Sequence, residues 1–258
     1  MRFTDEQYQA FLKDGYIVVE NVLSKELVEG IKQRVSQLAL RESECGEGHF
    51  YSQTGKMQRV WNLLGKGDVF HGVITQDLIL DAMEKIFARE TTHKKYYLSS
   101  FQANILFPGA EAQKWHLDTP IPEPHTSWIV KANTIWPLID FTEENGATEV
   151  LPGSHTFSRR PKESDLPMLR EKSIKVMAKA GSVVITHGHL WHRSGSNLSQ
   201  DTRAVLLGSF AASFAREIAL EDNFFRSNSS EIVASWPEKT REVIGWDHGL
   251  KVGASFEH

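Results

Sequence analysis

The chain has 258 residues, with 29 Lys and Arg against 33 Asp and Glu and a net charge of −4 at pH 7. This mixed, slightly acidic balance offers no field to draw nucleic acid or anionic lipid, and no apolar run nears the roughly 18 residues a membrane span needs. Cys45 is the one cysteine, which leaves no disulfide framework and no cysteine metal cluster.

The first 90 residues read mainly as helices. Thr4-Asp5-Glu6-Gln7 predicts a capping-box start; the opening Met1–Asp5 lacks the apolar core of a secretory signal, so a cytoplasmic protein is expected. A short helix follows with Phe11 and Leu12 inward, stopping near Gly15, and Tyr16–Glu20 predicts a strand. Ser24 caps a second helix through about Leu40, on which Leu27, Ile31, Val35 and Leu38 recur at helical spacing. The polar stretch Glu42–Gln58 reads as a flexible loop. Asp77–Ala88 reads as a third helix with Leu78, Ala82, Ile86 and Phe87 inward.

From Tyr96 onward the chain turns to short β-type runs: Tyr96–Phe107, Ser127–Ile139, Ala147–Leu151, Ser182–Thr186 and Arg203–Phe210. Pro108-Gly109, Asn145-Gly146, Pro152-Gly153 and Gly195 mark turns between them, a spacing that predicts an antiparallel sandwich or barrel. No internal repeat or linker is visible. The expectation is a mainly β protein with flanking helices, one domain over residues 1–258. Helices of about 4–90 pack on a β core of about 95–215, followed by an extension of about 216–258.

Two segments carry chemistry. In Trp115-His116-Leu117-Asp118, residues i and i+2 of a strand share a face, so His116 and Asp118 can hold adjacent positions on a metal ion. H-x-D alone is a weak signal that a structural pair also satisfies. The second segment, Gly181–Gly195, runs as a strand into a turn carrying His187, His189 and His192, and residue chemistry does not choose among the three. One of them would complete a two-His, one-carboxylate set of the kind found in non-haem Fe(II) oxygenases. Arg203, eleven residues after His192, could clamp a carboxylate in bidentate fashion.

Taken together, His116-x-Asp118, Asn145-Gly146-Ala147-Thr148 with Leu151-Pro152-Gly153-Ser154-His155, His192-x-Ser194-Gly195 and Arg203 resemble the phytanoyl-CoA dioxygenase family, from about Phe3 to Phe214. The resemblance implies a double-stranded β-helix (jelly-roll, cupin-like) core, Fe(II), and 2-oxoglutarate and O2 as cosubstrates. It implies His116, Asp118 and His192 as iron ligands, and Arg203 on the distal carboxylate of 2-oxoglutarate with Ser194 as its hydroxyl helper. Gln113, Thr148 and Arg59 match further cosubstrate contacts, and the Gln113 and Thr148 pattern resembles the natural-product branch. A carboxylate at Asp118 fills the position that related halogenases leave to halide with Gly or Ala, so halogenation is not expected.

The implied reaction is hydroxylation of an unactivated C–H bond in a small, fairly apolar secondary-metabolite-type molecule, releasing succinate and CO2. Desaturation, epoxidation or rearrangement would use the same centre. Two rival classes are a metal-binding cupin without oxygen chemistry, which would not need Arg203, and a non-catalytic partner subunit, which would not need all four residues. Trp191, His187 and Asn133 are candidates for the substrate pocket, and Asn104 for the cosubstrate. Trp61, Trp115, Trp128, Trp136 and Trp191 are expected in the core or barrel wall, with Trp191 the one of them to line the pocket if any does. His155 reads as a structural hydrogen-bonding residue, His189 as a turn residue, and His49, His71, His93 and His125 as surface or loop residues. Glu42–Gln58 and Pro120–Ser127 are the expected lids. The expected partner is a small molecule, with no nucleic acid or membrane, and the expected assembly a monomer or homodimer.

Overall fold

Helix α1 (Asp5–Asp14) begins where the Thr4 hydroxyl accepts the Gln7 amide and the Gln7 side chain returns to the Thr4 amide, the reciprocal cap its sequence predicts. It ends at Gly15, whose φ of 81° suits glycine and whose N–H closes on the Phe11 carbonyl. The computed structural model describes residues 1–88, 96–215 and 224–246. Strand β1 (Tyr16–Val19) follows, and then α2 (Lys25–Glu44), capped by Ser24. Its buried stripe is Val28, Ile31, Val35, Leu38 and Ala39, with Leu27 packed only partly against the core.

The segment expected to be a flexible loop is instead the end of α2 and an edge hairpin of β2 (His49–Phe50) and β3 (Met57–Val60). Its polar composition hid it, because the strands are short and one is exposed. Short helical turns lead through α3 (His71–Ile74) to α4 (Asp77–Phe87), whose apolar face is fully buried.

The remaining strands are β4 (Tyr96–Leu106), β5 (Lys131–Pro137), β6 (Thr148–Val150), β7 (Ile174–Lys175), β8 (Val183–His187), β9 (His192–Ser194) and β10 (Arg203–Ala212), with α5 (Leu166–Lys172) before β7. Seven form one antiparallel sheet in the order β1-β8-β5-β10-β4-β3-β2, and three form a second in the order β7-β6-β9. This is the jelly-roll arrangement the family resemblance implies, with helices on its outside. Three short helices, Phe224–Ser227, Ser230–Ser235 and Glu238–Ile244, lie in the C-terminal part.

The large sheet is buried on both faces. In β4, Phe101, Ala103 and Ile105 point into the same core as α2 and α4, while Ser100, Gln102 and Asn104 line an internal cavity. A strand places alternate residues on opposite faces, so the polar half of β4 is the half turned into the barrel.

Candidate metal centre

His116 lies between β4 and β5, and His192 opens β9. Their backbones pair reciprocally, His116 N–H donating to His192 O at 3.0 Å and His192 N–H to His116 O at 2.9 Å. The ring centroids are 4.4 Å apart. The N–H groups of Asp118 and Thr119 both donate to the Gly188 carbonyl, at 3.0 and 3.1 Å. Nothing larger than hydrogen fits on Gly188: a Cβ would lie 2.4 Å from Thr119 Oγ1 and 2.7 Å from Lys131 O. The turn that delivers His192 therefore also anchors Asp118.

His116 Nδ1 is 2.8 Å from Lys114 O, and His192 Nδ1 is 3.0 Å from Leu190 O. A carbonyl only accepts, so Nδ1 carries the proton in both rings and Nε2 presents its lone pair. Those Nε2 atoms lie 3.8 and 3.4 Å from the two carboxylate oxygens of Asp118, and the three donor atoms fall within 4.8 Å of one another. Asn133 Nδ2 donates to Asp118 Oδ2 at 2.7 Å, and Asn133 Oδ1 accepts from the Ser209 hydroxyl at 2.7 Å. Burial, and after it His192, pushes His116 below the ordinary imidazole range. Burial alone would raise Asp118, but His192, His116 and Lys131 outweigh it and hold the carboxyl below its usual value. Two imidazole nitrogens and one carboxylate, each oriented by an outer hydrogen bond, fit Fe(II) with open positions.

The cavity, about 390 Å³, runs from this cluster to Arg203. Arg203 is 1% exposed, and burial lowers its pKa to about 10. Its guanidinium lies 4.5 Å over the Phe141 ring and reaches Thr148 Oγ1 at 3.4 Å. Its Nε has no partner, and the buried Tyr51 hydroxyl, which senses the Arg203 charge, has none either. A buried cation with an orphaned N–H calls for an anion, and a carboxylate fits. Arg59 is sandwiched between Tyr51 and Trp61, 4.4 and 4.8 Å from their ring centres, and donates to Asn104 Oδ1. Gln113 pairs with Ser194 through backbone and side chain, its Oε1 accepting the Ser194 N–H, which leaves its amide NH2 for a ligand.

The cavity thus gathers His116, Asp118, His192, Arg203, Gln113, Thr148, Ser194, Arg59 and Asn133. Trp191 and His187 are not on its wall. Trp191, fully buried, turns the other way: its indole N–H donates to Arg159 O and its ring packs with Leu151 and Leu169. His187 sits behind β8 against Phe11. Of the histidines expected at the surface or in loops, His71 opens α3 and His125 lies in a loop, and both are 4% exposed, whereas Trp128, expected in the core or wall, is 57% exposed. His155 hydrogen-bonds Leu12 O, a structural contact as its motif suggested; His93 lies outside the described residues. Reasoning from sequence missed Tyr51, Gln102 and Lys131, though the polar alternation of β4 was a signal for Gln102.

His155, His187, His189 and His125 form a chain of imidazoles, with successive centroids 5.0, 5.1 and 4.9 Å apart. Burial, before the neighbouring rings, keeps His187 well below the normal range and takes His189 to about 4. Their nitrogens do not converge: among the described residues, His116, Asp118 and His192 are the one group of three or more such side chains that does.

Residues 11–205 match the sequence profile described as phytanoyl-CoA dioxygenase (PhyH). The chain is 29% identical over 257 residues to dioxygenase af480 of Aspergillus fumigatus, covering 96% of this chain and 79% of the relative. It is 23% identical to multifunctional dioxygenase prhA of Penicillium brasilianum, covering 94% and 82%. Among solved structures, the non-haem α-ketoglutarate-dependent carbocyclase SnoK from nogalamycin biosynthesis superposes with a TM-score of 0.70 at 17% identity, over 88% of this chain and 91% of that one. EctD from S. alaskensis with bound Fe gives 0.67 at 21% identity, over 81% and 76%. No helix among the described residues is long and apolar enough to cross a membrane.

Proposed function

The chain belongs to the phytanoyl-CoA dioxygenase family, and from that premise we propose that it is an Fe(II)- and 2-oxoglutarate-dependent dioxygenase hydroxylating a C–H bond of a small organic, secondary-metabolite substrate. One observation carries this: the three metal donors converge in the same cavity that ends on a buried arginine with an unsatisfied N–H. A metal-binding cupin without oxygen chemistry has no use for the second half of that arrangement.

His116, Asp118 and His192 would hold the iron, and Arg203, Thr148 and Tyr51 the distal carboxylate of 2-oxoglutarate. When bound, the pair supplies oxidation of the substrate C–H bond by O2, with 2-oxoglutarate leaving as succinate and CO2. The protein's own residues position and shield. Asn133 fixes the Asp118 carboxylate, Arg59 is fixed by its aromatic neighbours, and the cavity walls exclude water from the reacting groups. One domain is the reading we adopt, because β1 brings the N-terminal helices onto the large sheet beside β8. We place the enzyme in the cytoplasm as a monomer or homodimer.

The test is anaerobic addition of Fe(II) and then 2-oxoglutarate, watching for the weak visible metal-to-ligand charge-transfer band. The band is expected with wild type and not with His116→Ala. Fe(II) binding without a band on 2-oxoglutarate addition would overturn the cosubstrate assignment in favour of the metal-cupin alternative.

A further inference from the structure

The large sheet turns alternate residues into the cavity, and these line up in rows across its strands. Gln102 on β4 stands opposite Leu207 on β10, which stands opposite Ile135 on β5, and all three line the cavity. The row toward Arg203 holds Asn104, and the row on the other side holds Ser209 and Asn133. Successive rows are two residues, roughly 7 Å, apart along a strand. Asn133, which holds Asp118, is thus one row from Gln102, and Arg203 is two rows away in the other direction. Gln102 lies nearer the Asp118 end of the wall than the arginine end.

The amides of the two adjacent rows are committed. Asn104 Oδ1 accepts from Arg59, and Asn133 accepts from Ser209 and donates to Asp118. Gln102 is not committed. It is 6% exposed, its Oε1 is buried without a partner, and its side chain makes no hydrogen bond among the described residues. Its cross-strand neighbours, Leu207 and Ile135, are hydrocarbon and offer it nothing. A buried amide left unpaired is costly, so a ligand in the cavity is what satisfies it.

The oxygens of 2-oxoglutarate only accept, so the cosubstrate could take the Gln102 N–H but would leave Oε1 unpaired. A carboxamide presents a donor and an acceptor side by side. The edge that matches it carries an acceptor and a donor at the same spacing, which a secondary amide offers in its cis form. A ring enforces that form. A ketone, ester or carboxylate serves the donor alone, and a single hydroxyl serves one end at a time.

We propose that Gln102 sets substrate specificity and that the substrate is a lactam, a cyclic secondary amide whose N–H and C=O pair with the Gln102 side chain while Leu207 and Ile135 cover its hydrocarbon part. The fairly apolar molecule expected from sequence then carries one polar edge. The cavity of about 390 Å³ must take both 2-oxoglutarate and the reacting part of the substrate, which suits a compact ring. This rests on the 2-oxoglutarate reading of the same site.

The test uses wild type loaded anaerobically with Fe(II) and 2-oxoglutarate. It is titrated with 2-pyrrolidinone, 2-piperidone, ε-caprolactam and 2-quinolone, each beside its N-methyl derivative and the lactone of the same ring. The readouts are perturbation of the charge-transfer band and, on admitting O2, succinate release. At least one lactam is expected to perturb the band and raise succinate release, binding about 10-fold or more tighter than its N-methyl derivative and its lactone. Gln102→Leu should remove that preference, and Gln102→Glu, whose carboxylate has no N–H to donate, should weaken the lactam as well. Both should form the unperturbed band at the wild-type 2-oxoglutarate midpoint, which shows that they are folded and loaded. The assignment is overturned if no lactam perturbs the wild-type band, if N-methyl lactams and lactones match the lactams, or if Gln102→Leu keeps the preference. It is overturned equally if Gln102→Leu weakens 2-oxoglutarate by a similar factor, which would put Gln102 on the cosubstrate. A wild type that never forms the band fails the cosubstrate reading itself and takes this inference with it.

Discussion

Asn133 donates its side-chain amide to Asp118 Oδ2 at 2.7 Å and is held in turn by the Ser209 hydroxyl at the same distance. The one carboxylate of the metal cluster is therefore fixed by a chain of two hydrogen bonds that runs back into β10. Removing the middle of that chain frees the carboxylate to rotate. Asn133→Ala should lower Fe(II) affinity about 10–100-fold while leaving the fold intact, as read by Fe(II) titration and circular dichroism. An affinity equal to wild type would show that the hydrogen bond does not orient the ligand.

Arg203 and the metal cluster are separable. Arg203→Ala should weaken 2-oxoglutarate by roughly 100-fold, about 3 kcal/mol for one partner of a buried charge pair, with Fe(II) affinity unchanged. Tyr51→Phe, which removes only one hydrogen bond, should cost about 1 kcal/mol. Charge-transfer titration with each variant measures both, and an unchanged 2-oxoglutarate affinity in Tyr51→Phe would mean that Tyr51 and Arg203 do not share an anion.

The imidazole chain behind β8 makes stability depend on pH. His189 titrates at about 4 in the folded protein against 6.5 when unfolded, and His187 is also held low, mainly by burial. Between those values the unfolded chain binds more protons, so stability falls as pH falls. It should be complete above about pH 6.5 and decline toward pH 4, by on the order of 2 kcal/mol from His189 after allowance for residual solvent screening. Thermal melts from pH 7.5 to 4.5 should show it, with a shallower slope in His189→Gln; parallel slopes would assign the loss to other groups.

Trp191 precedes a metal ligand in sequence, but its side chain faces away from the cavity. Trp191→Ala removes a fully buried ring and its bond to Arg159 O, and should cost about 3–5 kcal/mol of stability. Its effect on 2-oxoglutarate affinity should be small, and denaturant unfolding beside a charge-transfer titration separates the two.

The capping box at Thr4, the helical stripe of α2 and the extended run of β4 could all be read from the sequence, because each is a local pattern with a local cause. Turn spacing pointed to an antiparallel sandwich or barrel, and the jelly roll and the site residues came from the resemblance carried by motifs in a fixed order. What the sequence hid was direction. Trp191 and His192 are adjacent, yet a strand sends neighbours to opposite faces, so one packs behind the sheet while the other faces the cavity. His125 and His189 lie 64 positions apart and stack only because the segment after Asp118 folds back over the β8–β9 turn. The hairpin of β2 and β3 was hidden by its polarity, since an edge strand needs little apolar surface.

The reciprocal backbone pairing of His116 with His192 has a consequence for how the protein is loaded. The two imidazoles are brought side by side, tilted by 51°, by peptide hydrogen bonds, and each is held in the tautomer an ion needs. Loading is then a docking event on a finished template and not a folding event. Chelation should leave the protein folded, its melting temperature should rise only modestly with metal, and ions of similar size should exchange in and out without reshaping the barrel. Which metal the protein carries is therefore decided by supply and by what the cavity rejects.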